Sequence, residues 1–318
     1  MVWPIENLSR SGPVLVIGAS GLDVISHLSS GLKSGSSNPA KVRTSYGGVS
    51  RNVAENLARL GQEVILVTAV GDDQTGHQVL AYTEQAGVNV SQVICSNAYP
   101  TGFYMGIVNK NGQLELSVDD MRVMACLTPD EITKRTELFE KASIVFLDAN
   151  LPEDTLNITI SLAQKHKLPI CADPASSSLA LRLLPHLPSL TMITPNGTEA
   201  GILSGGKLNS SDRKAAMQVA RHLVNVGVDV ALITLAEFGV CYASSETSGQ
   251  LPAIKTQIVD PTGAGDAFTA AVLFALLNDI ELDEAVKLGL SAGSITLRHP
   301  GTVLPDLTLE KLYDQLLV

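Results

Sequence analysis

The stretch Asp260-Pro261-Thr262-Gly263-Ala264-Gly265-Asp266 follows a β-rich run, Ile254–Val259, and opens an apolar helix expected over Ala267–Leu277. Gly263 and Gly265 let the backbone bend so that successive N–H groups point to one spot. The helix that starts there adds its own unpaired N–H groups and the positive end of its dipole. An anion, such as the terminal phosphate of a nucleotide, is the natural occupant. Asp266 stands at the edge of that spot, where capping is the only stabilising reason for a carboxylate. From there it can take the proton of an alcohol attacking phosphorus. A plain capped helix start accounts for Gly263 and Asp266 singly, but not for the whole run.

Outward from this corner, short apolar runs alternate with helical patterns. Strands are expected at Val14–Ala19, Val64–Val70, Ile144–Asp148, Pro169–Asp173, Thr191–Thr194 and Val230–Leu235. Helices are expected at Asn52–Leu60, Gly76–Ala86, Asp154–His166, Asp212–Val226, Ala264–Leu277 and Leu282–Leu297. That rhythm predicts an α/β fold with a mostly parallel central sheet covered on both faces. Strands buried on both sides need not alternate, and these do not. Two segments break the rhythm. Val24–Tyr46 reads as strand–loop–strand, and Phe103–Val118 as a hairpin turning at Asn109-Lys110-Asn111-Gly112. With their flanks, about 24–46 and 98–121, they are expected to form a small β lid inserted in a single domain spanning 1–318.

Composition narrows the function. The chain has 318 residues, 45% hydrophobic and 17% charged, enough for a substantial core. Lys+Arg 22 against Asp+Glu 32 gives a net charge of −10, the wrong field for a nucleic-acid partner. The longest apolar stretch, Ala270–Leu277, is far short of a bilayer span. Met1 to Gly12 has no apolar signal core, and Cys95, Cys126, Cys171 and Cys241 show no metal-ligand or disulfide spacing. A cytoplasmic protein with reduced thiols is expected, with no membrane partner.

A second glycine-rich constellation lies near the N-terminus: Gly47-Gly48-Val49-Ser50-Arg51-Asn52, Ala54, Gly61 and Gly71-Asp72. A glycine pair before a helix allows close approach to a ligand, and Asn52 offers both a donor and an acceptor. Taken alone, these residues read better as an ordinary turn and cap.

Together the two constellations resemble the paired signatures of the ribokinase-like (PfkB) carbohydrate and nucleoside kinases, in the right order and at opposite ends of the chain. The likeness covers essentially residues 14–305. It implies a ribokinase-like αβα sandwich and transfer of phosphate from ATP to a hydroxyl. Asp23 is similar to the family's acidic residue for sugar hydroxyls, with Gly47, Gly48 and Asn52 beside it. Asn196-Gly197-Thr198-Glu199 resembles the Asn-x-x-Glu element that places Mg²⁺ waters, while Thr234-Leu235-Ala236 and Gly239 resemble the border of the nucleotide. Asp260 and the Thr262 carbonyl, with backbone from about Thr296 to Leu304, resemble a monovalent-cation site, so K⁺ is implied. Within the family, Ser37-Asn38-Pro39-Ala40-Lys41, Arg51–Ala58, Asp119-Asp120-Met121 and Asp173-Pro174 are similar to pseudouridine kinases. That likeness implies the 5′-hydroxyl of pseudouridine as acceptor, with Asn38 and Lys41 reaching in from the lid. Another nucleoside, ribose or fructose fits the sugar-side residues equally, and a nucleoside-binding regulator without catalysis is the alternative of another class. Lids of this family often pair between chains, which implies a homodimer. Four departures stand out: Ser50 for Gly or Ala, Ala40 and Ala236 for Gly, and no lysine in Ala175–Leu181.

Other motifs are set aside on context. Gly289-Leu290-Ser291-Ala292-Gly293 fits a nucleophile-elbow pattern but lies inside a helical stretch. No Walker-type loop occurs, no dinucleotide fingerprint follows a strand, and the six histidines have no ligand spacing.

Overall fold

The structure, a computed structural model, describes residues 11–110 and 114–317. Most of the N-terminal stretch and the Asn111-Gly112 turn therefore lie outside the described residues. Val14–Ile17 and Ile144–Asp148 are apolar at almost every position and buried along their whole length, so they pair in the middle of the sheet. The central sheet has eight strands. Its order runs Ser248–Leu251, Val240–Ser244, Val230–Thr234, Met192–Ile193, Ile170–Asp173, Ile144–Asp148, Val14–Ile17, Val64–Val67. The six strands from Val64–Val67 to Val230–Thr234 are parallel, and the last two form an antiparallel edge. One apolar cluster fills each face, which is the ribokinase-like αβα sandwich expected.

Two expectations are corrected. Val64–Val70 is two strands, because Ala69–Gly71 leaves the central sheet to pair with Ile94–Ser96. Ile254–Val259 forms no strand: Ile258 and Val259 are exposed, and the Val259 and Asp260 N–H groups both donate to the Leu297 carbonyl. The Val240–Leu251 hairpin and the short helices at Pro129–Thr133, Thr136–Lys141 and Gly197–Leu203 were not anticipated. The Ala264–Leu277 helix is buried nearly all round, sandwiched between Val49–Arg59 and Leu282–Thr296, as its unbroken apolarity requires. Ser291 lies inside Leu282–Thr296 with its hydroxyl donated to the Leu312 carbonyl, so it is a helix–helix tie.

The lid is one four-stranded sheet in the order Ala40–Gly47, Gly21–Leu28, Gly102–Val108, Leu114–Asp120. Its register puts Asp23, Tyr104 and Asp119 on one rung and Val42, Ser26, Ile107 and Leu116 on another. Alternation then turns Asp23, Ile25 and Tyr104 toward the main body and leaves Val42, Leu116 and Val118 exposed on the outer face. Among the described residues no helix is long and apolar enough to cross a membrane.

Candidate active site

In a parallel α/β sheet the crevice beyond the strand carboxyl ends is where ligands sit. Here Gly18-Ala19, Asp148, Asp173, Thr194 and Thr234 all occupy such ends. Between Ala19, the residues just after the Asp148 and Asp173 strand ends, and the inner lid face lies a cavity of about 1050 Å³. Asp23, Gly48, Asn52 and Asp266 line one part of it, and Asn150, Ser176 and Arg182 another.

The glycine turn behaves as its sequence suggests. Gly263 caps the Ala264–Leu277 helix in the left-handed region at φ 80°, and a Cβ there would lie 2.0 Å from the Thr302 carbonyl oxygen. A side chain at this point would therefore force the turn apart. Among the described residues, no acceptor meets the N–H groups of Ala264, Gly265 and Asp266, while the Ala267 N–H donates to Gly263 O at 2.9 Å. A Cβ on Gly265 would point into open space. Bare amides, a helix dipole and room for a ligand coincide at this corner.

Asp266 is held beside those amides from the other glycine-rich segment. Asn52 Nδ2 donates to Asp266 Oδ2 at 2.6 Å. The amide cannot turn round, because Asn52 Oδ1 accepts from the Arg51 guanidinium. Arg51 is itself fully buried, and it donates to Gly47 O (3.0 Å), Tyr46 O (2.7 Å), Thr302 Oγ1 (3.2 Å) and Glu55 Oε2 (2.5 Å). This network ties the Gly47-Gly48 turn, the Asp266 helix and the Thr302 loop into one unit. Burial pushes the Asp266 carboxyl up to about 6, opposed by the Asn52 hydrogen bond and Arg51 and assisted by Asp148 and Glu199. A carboxylate there is a usable proton acceptor near neutral pH.

Asp23 enters the same cavity from the lid. Gly47 makes its place, since a Cβ on Gly47 would lie 2.1 Å from Asp23 Oδ2. No protein donor among the described residues reaches the Asp23 carboxylate. Burial raises it to about 7, with Arg51 pulling down and the Asp266 and Asp260 charges pushing up. Asp260 is buried, accepts the Thr262 N–H at 3.0 Å, and lies 3.7 Å from the lid guanidinium of Arg43.

The lid residues Asn38 and Lys41 are not brought to this site. The Asn38 side chain closes its own loop, accepting the Lys33 N–H at 2.8 Å and donating to Lys33 O and Ser36 O. Lys41 is exposed opposite His27, and neither residue lines the cavity. Their proximity to Gly47 in sequence is spent along the strand, which carries them outward.

At the end of the Met192–Ile193 strand, Asn196 and Glu199 form a capping box: the Glu199 N–H donates to Asn196 Oδ1 (3.0 Å) and the Asn196 N–H to Glu199 Oε2 (2.9 Å). Asn196 bridges to Thr234, and Gly239 closes the neighbouring turn at φ 90°. Ala236 sits at φ 50°, in the region that favours glycine, so its replacement of a glycine carries backbone strain. Ala40 starts a strand and carries none. Asp173 accepts from Thr194 Oγ1 at 3.1 Å, and its carboxyl is raised well above the usual range by burial, Glu199 and Asp266.

Sequence reasoning missed Asp148, Asn150, Arg182 and Thr302. Asp148 could have been found, because it ends a strand expected to be parallel and central. Its Oδ2 accepts from Ala19 N (2.8 Å), Ser50 N (3.1 Å) and Ser50 Oγ (2.7 Å), and its Oδ1 from Asn150 N and Nδ2 (2.9 Å each). The Ser50 hydroxyl, a departure from the family pattern, is therefore absorbed by this knot.

Comparisons agree with the geometry. The model of the pfkB family of carbohydrate kinases matches residues 13–309. The chain is 30% identical over 297 residues to the pseudouridine kinase of Escherichia coli, covering 93% of this chain and 94% of that one. It is also 30% identical to the guanosine-inosine kinase of Exiguobacterium acetylicum, over 88% of this chain and 93% of that one. A carbohydrate kinase from Agrobacterium tumefaciens superposes with a TM-score of 0.81 at 27% identity, covering 96% and 97% of the two chains. Arabidopsis thaliana ribokinase, solved with ribose and ATP, superposes at 0.83 with 23% identity over 96% and 99%, a likeness of fold. With a helix N-terminus bare of acceptors, a carboxylate at its edge and a match over nearly the whole length, the chain belongs to the pfkB family of carbohydrate kinases, phosphotransferases that act on a hydroxyl.

Proposed function

We propose that this kinase transfers the terminal phosphoryl group of ATP to the 5′-hydroxyl of a ribosyl substrate, with pseudouridine as the leading acceptor. The observation that carries the reading is Asp266: a recessed carboxyl, raised to about 6, fixed by Asn52 beside the bare N–H groups of Ala264 and Gly265. Asp23 and the Gly47-Gly48 turn receive the ribose hydroxyls and orient the 5′-oxygen, which is the entropic part of the rate. Asp266 takes the hydroxyl proton onto its carboxylate. The N–H groups of Gly263, Ala264 and Gly265 face the charge that develops on the phosphoryl oxygens, and such preorganised donors contribute about 3–4 kcal/mol each when removed singly. Asn196, Thr234 and Gly239 border the nucleotide.

The donor sets fit the expected cations. Asp173 and Glu199 are pushed up by burial, Asp173 further by Glu199, with no cationic side chain paired to either among the described residues. Such carboxyls suit Mg²⁺ held through waters; when bound, it neutralises phosphate charge. For K⁺, Asp260 and the Thr262 carbonyl lie over a segment in which Ser294 Oγ, Thr296 Oγ1 and His299 Nδ1 are buried without partners among the described residues. Exchanging K⁺ for Na⁺ should lower the rate; an equal rate in both removes the cation role. The exposed apolar outer face of the lid, Val42, Leu116 and Val118, supports a homodimer through the lid, which light scattering checks. The setting we assign is cytoplasmic.

The pseudouridine reading rests on the likeness to the E. coli kinase, and likeness to the guanosine-inosine kinase favours a purine nucleoside as the second reading. A coupled assay of ADP release with pseudouridine, uridine, inosine, guanosine, adenosine, ribose and fructose separates them. Turnover is expected to be highest with pseudouridine. A higher kcat/KM for another acceptor reassigns the substrate, and release with none of them overturns the kinase reading in favour of a binding protein.

A further inference from the structure

We propose that Arg51 is a positioning residue for phosphoryl transfer: its guanidinium holds the sugar turn, the phosphate turn and Asp266 in one register. This role rests on the reading of Asp266 as proton acceptor above, and names what aims that carboxylate. Among the described residues Arg51 is the only Lys, Arg or His side chain that is fully buried, and it does not line the cavity. Its Nε donates to Gly47 O, and its Nη2 to Tyr46 O, Asn52 Oδ1 and Thr302 Oγ1. One planar group therefore spans the end of a lid strand, the Val49–Arg59 helix and the Thr302 loop. Its Nη1 is anchored on Glu55 Oε2 at 2.5 Å, while Glu55 Oε1 accepts Arg59 Nε at 3.0 Å and Nη2 at 2.5 Å. Arg59 also donates to Pro305 O, which closes the frame on the same loop.

Each contact bears on one reacting party. Because Asn52 Oδ1 must face the guanidinium, Nδ2 is the atom left for Asp266 Oδ2, at 2.6 Å. Thr302 abuts the phosphate turn, since a Cβ on Gly263 would lie 2.0 Å from its carbonyl oxygen; its hydroxyl also donates to Tyr46 O at 2.6 Å. Gly47, whose carbonyl Nε holds, is the residue that makes room for Asp23. Charge works in the same direction. Asp266 faces Asp23, Asp148, Asp173 and Glu199, and Asp23 faces Asp260 as well. Against these Arg51 is the cation that pulls both Asp23 and Asp266 down, while Arg43 is engaged with Asp260. Glu55 and Arg59 stand on the Nη1 side with Tyr82 beside them. A lysine cannot take this part, because an ammonium offers three donors at one point to acceptors spread over three segments.

The test is Arg51→Lys in the full chain, alone and combined with Asp266→Asn. Alone it is expected to lower kcat by about 10²-fold, the cost of a displacement on the order of 1 Å at the reacting atoms. The acid limb of the rate, near pH 6 in the wild type, should move to higher pH, because Asn52 no longer has to donate to Asp266. In the Asp266→Asn background the same change should cost little more, since the group it acts through is gone. Equal losses in both backgrounds with the limb in place describe a merely structural residue and overturn the proposal, as does wild-type turnover in Arg51→Lys. Should that variant not fold, the wild type decides by NMR on nitrogen-15 arginine-labelled protein. The slowly exchanging Nε–H of this one buried arginine should titrate near pH 6 and cease to do so in Asp266→Asn. A flat resonance, or one that titrates equally in the variant, overturns the link. Turnover retained in Asp266→Asn would instead sink the proton-acceptor reading, and the titrating resonance would still report Arg51 coupled to Asp266.

Discussion

Two groups of carboxylates stand around the site, and they are built on opposite principles. Asp148 accepts five hydrogen bonds, from Ala19, Ser50 and Asn150, and nothing about it awaits a ligand. Asp23 accepts none from the described protein, and Asp266 accepts one, from Asn52, whose amide Arg51 aims. A carboxylate satisfied by main-chain and hydroxyl donors stabilises its surroundings, whereas one left short is destabilising until something arrives. The raised values of Asp23, about 7, and Asp266, about 6, are the measure of that shortfall. Polar satisfaction therefore separates Asp148 from Asp23 and Asp266, although all three are Asp.

The contrast can be broken most sharply at Asp266. Asp266→Asn should keep ADP affinity and lose turnover by roughly 10²–10⁴-fold, the range for removing a general base. The wild-type rate should rise as pH passes up through about 6, where Asp266 gives up its proton, and the variant should lack that limb. Retained turnover in the variant ends the assignment. Next in size, Asp148→Ala strands several buried donors and should lower the unfolding free energy by about 3–5 kcal/mol in urea titrations. A change near zero would mean the knot is ornamental.

Asp23 sharpens the comparison by its opposite sign. Its carboxyl sits near 3.8 when unfolded and about 7 when folded, so the folded state binds the extra proton between those values. Stability contributed by this group is thus present at low pH and is lost as pH rises toward 7. Asp23→Asn should consequently stabilise the ligand-free protein at pH 8, by about 1–3 kcal/mol, with the gain fading near pH 4. The same change should raise KM for the nucleoside. A variant less stable than wild type at pH 8 would show that Asp23 belongs with Asp148 in the frame.

Much of this was legible in the chain. The glycine turn at Gly263, the Asp266 helix, the central strands and the strand–loop–strand lid follow from local rules of chirality, apolar run length and turn chemistry. Ile254–Val259 misled because β-propensity reports fit to a pleated, half-buried surface, and no neighbouring strand offers one there. Asn38 and Lys41 misled because closeness in sequence says nothing about which way a strand carries its far end. Arg51 shows no role in the sequence, since an arginine reads as a surface residue until five acceptors are found around it.

By itself the sequence determined the layers of the fold, the glycine turn that opens the Ala264–Leu277 helix and the carboxylate at its first turn, all of which depend on contiguous residues. Only the tertiary structure decided that Asp148 is frame and Asp23 is open, that Arg51 locks Asn52 onto Asp266 across 214 positions, and that Arg182 ties the carbonyls of Ala149 and Leu151. Hydrogen-bond satisfaction is a property of neighbours in space, and those neighbours come from strand ends that the chain reaches far apart.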